Sequence, residues 1–384
     1  MKNSRWLALD STRGLAVLGM VLVVSPGSWG HRLSWLDHAA WNGWTPADMV
    51  MPLFLFCVGL ALGMKASSQH FDGFDLSKVF IRTLALFGIG LGLNWIEAGS
   101  ISTIRLPGIL QRIALCYFLA ALTLHTLHKP RSSGLTIATV LMLLCGLNYF
   151  LMNGAAYASA PSGELTYKDN LAALIDRTVF GVQHLWVWGR DESGNVVYDP
   201  DGLLSSIFAT ANVLSGVLVF TLKKKLLIAE RPKHYWLTLI LLAISLYLLA
   251  QRLDSHGILI NKKLWSLSFT LLSISCCIGA LLIFELIHFS NTGSALIAKT
   301  NLLSVFGTNA ILAFILSTLM LIYSGAPLIT HATERIGIQT FVFNKVNSVI
   351  TEPYTASLFC AGLVCFSLYL ALLPFYKNKI FIRL

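Results

Sequence analysis

Residues 47–66 read ADMVMPLFLFCVGLALGMKA. No charge falls between Asp48 near one end and Lys65 near the other. A helix crossing the roughly 30 Å hydrocarbon core of a bilayer needs roughly 20 such residues. Comparable apolar runs recur at 14–27, 79–96, 107–127, 134–152, 205–222, 235–251, 265–287, 301–323 and 355–375. Together they predict an all-α, polytopic integral membrane protein of about ten transmembrane helices, read as a single domain over 1–384. Composition agrees: the 384 residues are 55% hydrophobic and only 12% charged, with a mean hydropathy of +0.70, against about 25% charged residues in a soluble chain. So few charges cannot cover an aqueous surface.

The first run follows Lys2 and Arg5 as a signal peptide would. Asp10 and Arg13 break its charged leader, no small-residue cleavage site follows, and nine more runs come after, so it is expected to remain as a span. With the N-terminus placed in the cytoplasm, 17 of the 28 Lys and Arg residues fall on that side and 13 of the 18 acids on the other. The two faces then carry +12 and −2, which is the asymmetry of a cytoplasmic membrane protein with both termini inside. The net charge of +10 is thus a signal of topology, and nucleic acid is not an expected partner. All seven cysteines lie in apolar runs without metal-type spacing. They read as packing residues, with no metal site and no disulfide expected.

The long connections 28–46, 153–204 and 324–354 all fall on the outer side, where acids, aromatics and imidazoles collect. Loops of that kind carry recognition or chemistry. No phosphate loop, dinucleotide fingerprint or internal repeat is present.

Ionisable groups at membrane depth are costly and need a partner, a cavity or a route to the interface. Four clusters stand out. Asp10 and Arg13 lie three residues apart, on one helix face, and suit either an anchoring ion pair or a cationic contact for a phosphorylated donor. The run Asp37-His38-Ala39-Ala40-Trp41-Asn42-Gly43-Trp44-Thr45-Pro46-Ala47-Asp48 leads directly into the second span. Trp41 and Trp44 suit a membrane interface, and Thr45-Pro46 a helix cap. His38 with Asp48 suits a general base or acyl-accepting nucleophile, because a carboxylate orients an imidazole and stabilises its charged form. At the start of the fourth span, Arg105 flanks Pro107, and Gln111 with Arg112 lies about one turn into the helix, facing a polar interior. The last cluster collects Asp199 and Asp201 before the sixth span, Asn261, Lys262, Lys263 and Trp265 before the eighth, and Asn309 within the ninth. Lys262 and Lys263 stand on the outer face, which implies an anionic partner, lipid or substrate.

The stretches Leu9 to Gly14, His38 to Pro52, Ile104 to Arg112, Asp199 to Ser205 and Asn261 to Trp265 together resemble the heparan-α-glucosaminide N-acetyltransferase family, and within it the bacterial NagX-like membrane branch. The likeness runs in order along nearly the whole chain. It implies a transmembrane acyltransferase fold, a homodimer, and transfer of acetyl from cytosolic acetyl-CoA to the amine of a glucosamine-type sugar on the far side. The family's active histidine maps onto His38 and the acid ten residues later onto Asp48. Ser25 stands where many members carry an asparagine near a Pro-Gly turn.

In that reading His38 deprotonates the sugar ammonium or carries the acetyl group. Asp48 orients it, and Asn42 or Gln111 bonds the developing oxyanion. Arg105, Arg112, Lys262 and Lys263 are candidates for anionic parts of the donor or for sugar hydroxyls. His38, Asp48 and Arg112 are expected at one buried polar site. An inner-membrane transporter for N-acetylglucosamine, with Trp41 and Trp44 stacking on a sugar face, is the alternative, and a structural membrane protein is a third reading.

Overall fold

Hydrocarbon offers backbone N–H and C=O groups no water, so an apolar run entering a bilayer must close its hydrogen bonds within itself. The computed structural model describes residues 6–67, 75–126, 133–153, 165–289, 302–327, 329–331 and 334–382, and it follows that rule throughout. Among the described residues nine helices are long and apolar enough to span: α1 (Leu7–Val24), α2 (Val50–Ala66, extended by a 3-10 turn at Pro46–Met49), α3 (Leu76–Ala98), α4 (Ile109–Thr126), α5 (Ser133–Asn153), α7 (Leu203–Ile228), α8 (Pro232–Asp254), α9 (Leu267–Phe289) and α13 (Pro353–Lys377). A short helix α6 (Leu171–Phe180) precedes α7. The ninth apolar run is a bent pair, α10 (Leu302–Thr308) and α11 (Ala310–Gly325), meeting at 92°. The chain is a polytopic all-α membrane protein. Its described strands, β1 (Ile329–His331) and β2 (Glu334–Ile336), pair antiparallel ahead of α12 (Ile338–Asn347).

Local chemistry sets the ends. Asp75 caps α3 by accepting from the amides of Ser77 and Lys78, and Gly99 closes it at φ +67, a left-handed conformation that glycine adopts without penalty. Glu352 caps α13 with Pro353 in the first turn.

Three expectations need correction. The first span starts at Leu7 rather than 14, so Asp10 and Arg13 lie inside α1. The ninth is broken, because Asn309 sits at φ −120 and ψ 44, outside helical values. The long connections are partly helical, containing α6 in one and α12 in another. Residues 127 and 301 at the predicted span edges, and 154–164 of the 153–204 connection, lie outside the described residues.

The chain forms two compact units: Met1–His38, Thr45–Phe54 and Ile283–Leu384 in the first, Ala39–Trp44 and Leu55–Leu282 in the second. In the first, α1 crosses α10 so closely that a Cβ on Gly14 would stand 2.0 Å from the Leu303 carbonyl oxygen, and one on Gly307 2.2 Å from that of Asp10. Val17, Val21, Phe306, Ala313 and Leu368 fill the core beside this crossing. In the second, α7 is the central helix, with 78% of its apolar window buried against 11% for α8 and 17% for α5. The latter two keep apolar faces exposed, with Met142 and Leu143 on α5 and Leu241 and Leu248 on α8.

Membrane helices gain little from hydrophobicity against each other and depend on close approach of small residues. Gly59 and Gly216 supply it in the second unit, where added Cβ atoms would fall 1.9 Å from the Val213 carbonyl oxygen and 2.2 Å from that of Phe56. Leucine at either position should destabilise the protein by at least the roughly 1–3 kcal/mol typical of overpacking, seen as a lower unfolding midpoint in detergent. Gly88→Leu, with open space around it, should leave the midpoint nearly unchanged.

Candidate active site

Thr45 and Pro46 begin the second span, and this places Asp48 in the first turn with its carboxylate turned back over the helix start. Asp48 Oδ2 accepts from the Thr45 amide at 2.9 Å. Its Oδ1 lies 2.8 Å from His38 Nδ1. The Asp48 side chain is 1% exposed and that of His38 38%, so a buried anion holds a ring that reaches the surface. Neighbours fix the approach: Asp37 accepts from the His38 amide at 2.8 Å and pairs with Arg32 at 2.9 Å, while the Thr45 hydroxyl donates to the Asp37 carbonyl at 2.6 Å. A carboxylate on Nδ1 selects the tautomer protonated there and raises the basicity of Nε2. Any proton or acyl transfer by this imidazole therefore runs through Nε2.

The first unit also holds the helix break. Arg13 Nη1 donates to the Gly307 carbonyl at 3.2 Å, and Nη2 lies 3.6 Å from Asp10. The Asn309 side chain donates to the Ile380 carbonyl at 3.3 Å and accepts from the Ile382 amide at 3.1 Å. Ser11 is 2.9 Å from His288 Nε2. Backbone groups freed where a span breaks need such partners, so Asp10, Arg13 and Asn309 meet around one architectural feature.

Arg105, Arg112, Asp199 and Asp201 assemble in the second unit. Arg105 takes Asp199 in a two-point grip at 2.8 and 2.5 Å and reaches Asp201 at 3.0 Å. Arg112, fully buried, lies 3.3 Å from Asp201 and donates to the Pro200 carbonyl and the hydroxyls of Ser205 and Ser206. Its guanidinium stands 4.8 Å over the Trp265 ring, a favourable cation–π placement. Burial raises the pKa of Asp201, but Arg112, Arg105 and Lys262 outweigh it and hold the carboxyl below its ordinary value. Trp265 is itself pinned: its indole donates to Asn212, its carbonyl accepts from Asn148, and its φ is +55. That backbone region costs a bulky L-residue roughly 1–2 kcal/mol and persists only where surroundings over-determine it.

The other predicted residues are placed as follows. The Asn261 side chain donates to Asn42 at 3.3 Å and accepts from the Leu264 amide, joining the two outer segments. Trp41 is nearly buried, 4.3 Å from Tyr167 and 5.2 Å from Tyr198, with Lys263 over the ring and bonded to the Ala40 carbonyl. Gln111 is buried beside Gly90 and Gly108, and its Nε2 has no hydrogen-bond partner among the described residues. The Ser25 hydroxyl is in the same position.

Sequence reasoning missed Asn148, Asn212 and Asp176. The two amides lie inside apolar runs, which was a usable signal. Asp176 carried none. It accepts from the Leu203 amide at the start of α7 at 2.9 Å, and burial raises its pKa to about 7.

Two outcomes follow from this geometry. Asp199→Ala should cost about 3–5 kcal/mol, because it strands a paired guanidinium, and the Arg105→Ala, Asp199→Ala double variant should lose less than the sum of the singles in a thermal-unfolding cycle. Because the folded state binds the Asp176 proton more tightly than the unfolded chain, stability should fall as pH rises from the ordinary 3.8 through about 7 and then level off. Asp176→Asn should remove that portion of the decline.

A family model described as Heparan-alpha-glucosaminide N-acetyltransferase, catalytic, matches residues 5–162, a stretch holding His38, Asn42, Asp48, Arg105, Gln111 and Arg112. The heparan-alpha-glucosaminide N-acetyltransferase of Mus musculus is 28% identical over 327 residues, covering 71% of this chain and 47% of the mouse protein. That of Homo sapiens is 27% identical over 315 residues, covering 69% and 46%. The chain spans about half the length of these curated relatives. With the likeness already read in its residues, these matches make the chain similar to heparan-α-glucosaminide N-acetyltransferases.

Proposed function

We propose that the protein is a membrane N-acetyltransferase that moves acetyl from acetyl-CoA to the amine of a glucosamine-type sugar. The observation that carries this reading is the His38–Asp48 pair, a buried carboxylate 2.8 Å from Nδ1 of a half-exposed imidazole, inside the stretch that resembles the catalytic region of the relatives. In one route His38 Nε2 attacks the thioester carbon, the C–S bond breaks, and coenzyme A leaves as the thiolate. The sugar amine then displaces the imidazole from the acetyl group. In the other, His38 takes the ammonium proton, the amine attacks the thioester carbon directly, the C–S bond breaks, and coenzyme A leaves as the thiolate. Either route draws on Asp48 to stabilise the charged ring, with Asn42 or Gln111 bonding the oxyanion.

The protein then sits in a bacterial cytoplasmic membrane as a homodimer of the transmembrane acyltransferase fold, on the NagX-like branch. Both termini are cytoplasmic, and connections 28–46, 153–204 and 324–354 face outward. Acetyl-CoA arrives from the cytosol, with the sugar amine on the other side. Lys262 and Lys263 are the cations proposed for an anionic ligand, and Arg105 and Arg112 pair with Asp199 and Asp201.

Purified full-length protein in proteoliposomes, given radiolabelled acetyl-CoA and glucosamine, should form N-acetylglucosamine. His38→Ala should lower the rate by about 10²–10⁴-fold, the usual worth of such a group. Asp48→Asn should also reduce kcat and displace the pH profile. Wild-type turnover by the His38→Ala protein would overturn the assignment.

The 92° break in the ninth apolar run favours a second reading, because broken spans form the binding sites of many transporters. Counterflow of labelled N-acetylglucosamine into vesicles lacking acetyl-CoA is its test, and absence of flux rejects it.

A further inference from the structure

We propose that α6 and the segment after it form an interfacial platform that lies on the lipid bilayer at the membrane face where α3 ends and α4 begins. The platform belongs to the second unit. Helix α6 turns Ala172, Ala173 and Asp176 inward, and Asp176 ties it to the first turn of α7 through the Leu203 amide. Its other side presents Leu174 and Val179, and the chain continues with exposed Val182, Val187 and Trp188, the last 71% exposed. Water-facing loops seldom collect side chains of this kind, and a contiguous apolar patch marks an interaction surface.

Continuity identifies the occupant. Helix α3 exposes Phe80, Ile81, Leu84 and Phe87 along its length, then Trp95 and Ile96 at its end, as a lipid-facing span does. Past the turn at Gly99 comes Ile101, 72% exposed, in a short helical turn at Ile101–Thr103. That turn packs against Val182–His184. The junction is closed by the Leu106 amide donating to the His184 carbonyl at 3.0 Å, and by His184 Nδ1 at 2.7 Å from the Ile104 carbonyl. The apolar surface that α3 presents to acyl chains therefore passes through Ile101 onto the α6 segment.

Charge placement agrees. Arg190 is held beside Val187 and Trp188 by the Val187 and Gly194 carbonyls, each at 2.9 Å. Tryptophan with a neighbouring cation is the pairing that settles at the headgroup layer, the ring among glycerol and upper acyl groups and the cation on phosphate. An amphipathic helix with an apolar outer face lies in the same layer. A platform seated there holds the Asp199–Asp201 turn, a few residues further along the chain, at a fixed depth relative to the lipid surface.

Spin labels placed one at a time by Trp188→Cys and Val179→Cys, in the full chain in nanodiscs, test this. At both positions collisions with oxygen, which partitions into lipid, should exceed those with a water-soluble nickel chelate. The reverse ratio at both would overturn the proposal in favour of a solvated face. Dipolar broadening between labels on two copies would overturn it in favour of a contact between subunits. Should either variant fail to fold, Val182→Cys reads the same surface from the adjoining turn.

Discussion

A polar group inside a bilayer has no solvent to return to, and this constraint organises the polar chemistry of the protein. Every buried charge whose contacts are described is met by an internal partner. Arg13 bonds a carbonyl at the break in the ninth apolar run. Asn309 bonds the backbone of the C-terminal segment through both ends of its amide. Arg112, with no exposed side-chain surface, is met by a carboxylate, a carbonyl, two hydroxyls and an indole face. Removing any one partner leaves a desolvated charge, which is why such sets resist piecemeal change.

The same constraint separates architecture from chemistry. The Arg105–Asp199–Asp201–Arg112 set is almost wholly self-satisfied, and it locks the start of α4 to the start of α7. Trp265 extends that lock, since a left-handed backbone at a buried indole persists only where Asn148, Asn212 and Arg112 all hold it. The His38–Asp48 pair is built differently. Its anion is fully buried and structurally employed at a helix start, while its imidazole retains surface. That asymmetry suits a group that must exchange a proton or an acyl with a visiting molecule.

Ten apolar runs were legible because hydrocarbon thickness sets a length that composition alone can meet. His38 and Asp48 were legible because an imidazole and a carboxylate stand within ten residues at a helix start, a local arrangement. Asp10 and Arg13 were recognised as a pair, but the purpose of the pair was hidden, since Gly307 lies almost three hundred positions along the chain. Asp176 was invisible, because its significance comes from burial against α7.

The sequence by itself determined that this chain crosses the membrane about ten times, which family it resembles, and which histidine and acid to suspect. Those conclusions depend on run length, charge distribution and spacing along a single segment. Only the tertiary structure decided that the ninth run is bent through 92° at Asn309, that Arg105 and Arg112 are matched by Asp199 and Asp201, and that α6 carries an apolar outer face. Each of these depends on which distant groups meet where water is excluded, and a polar residue's role there is set by the partner it finds.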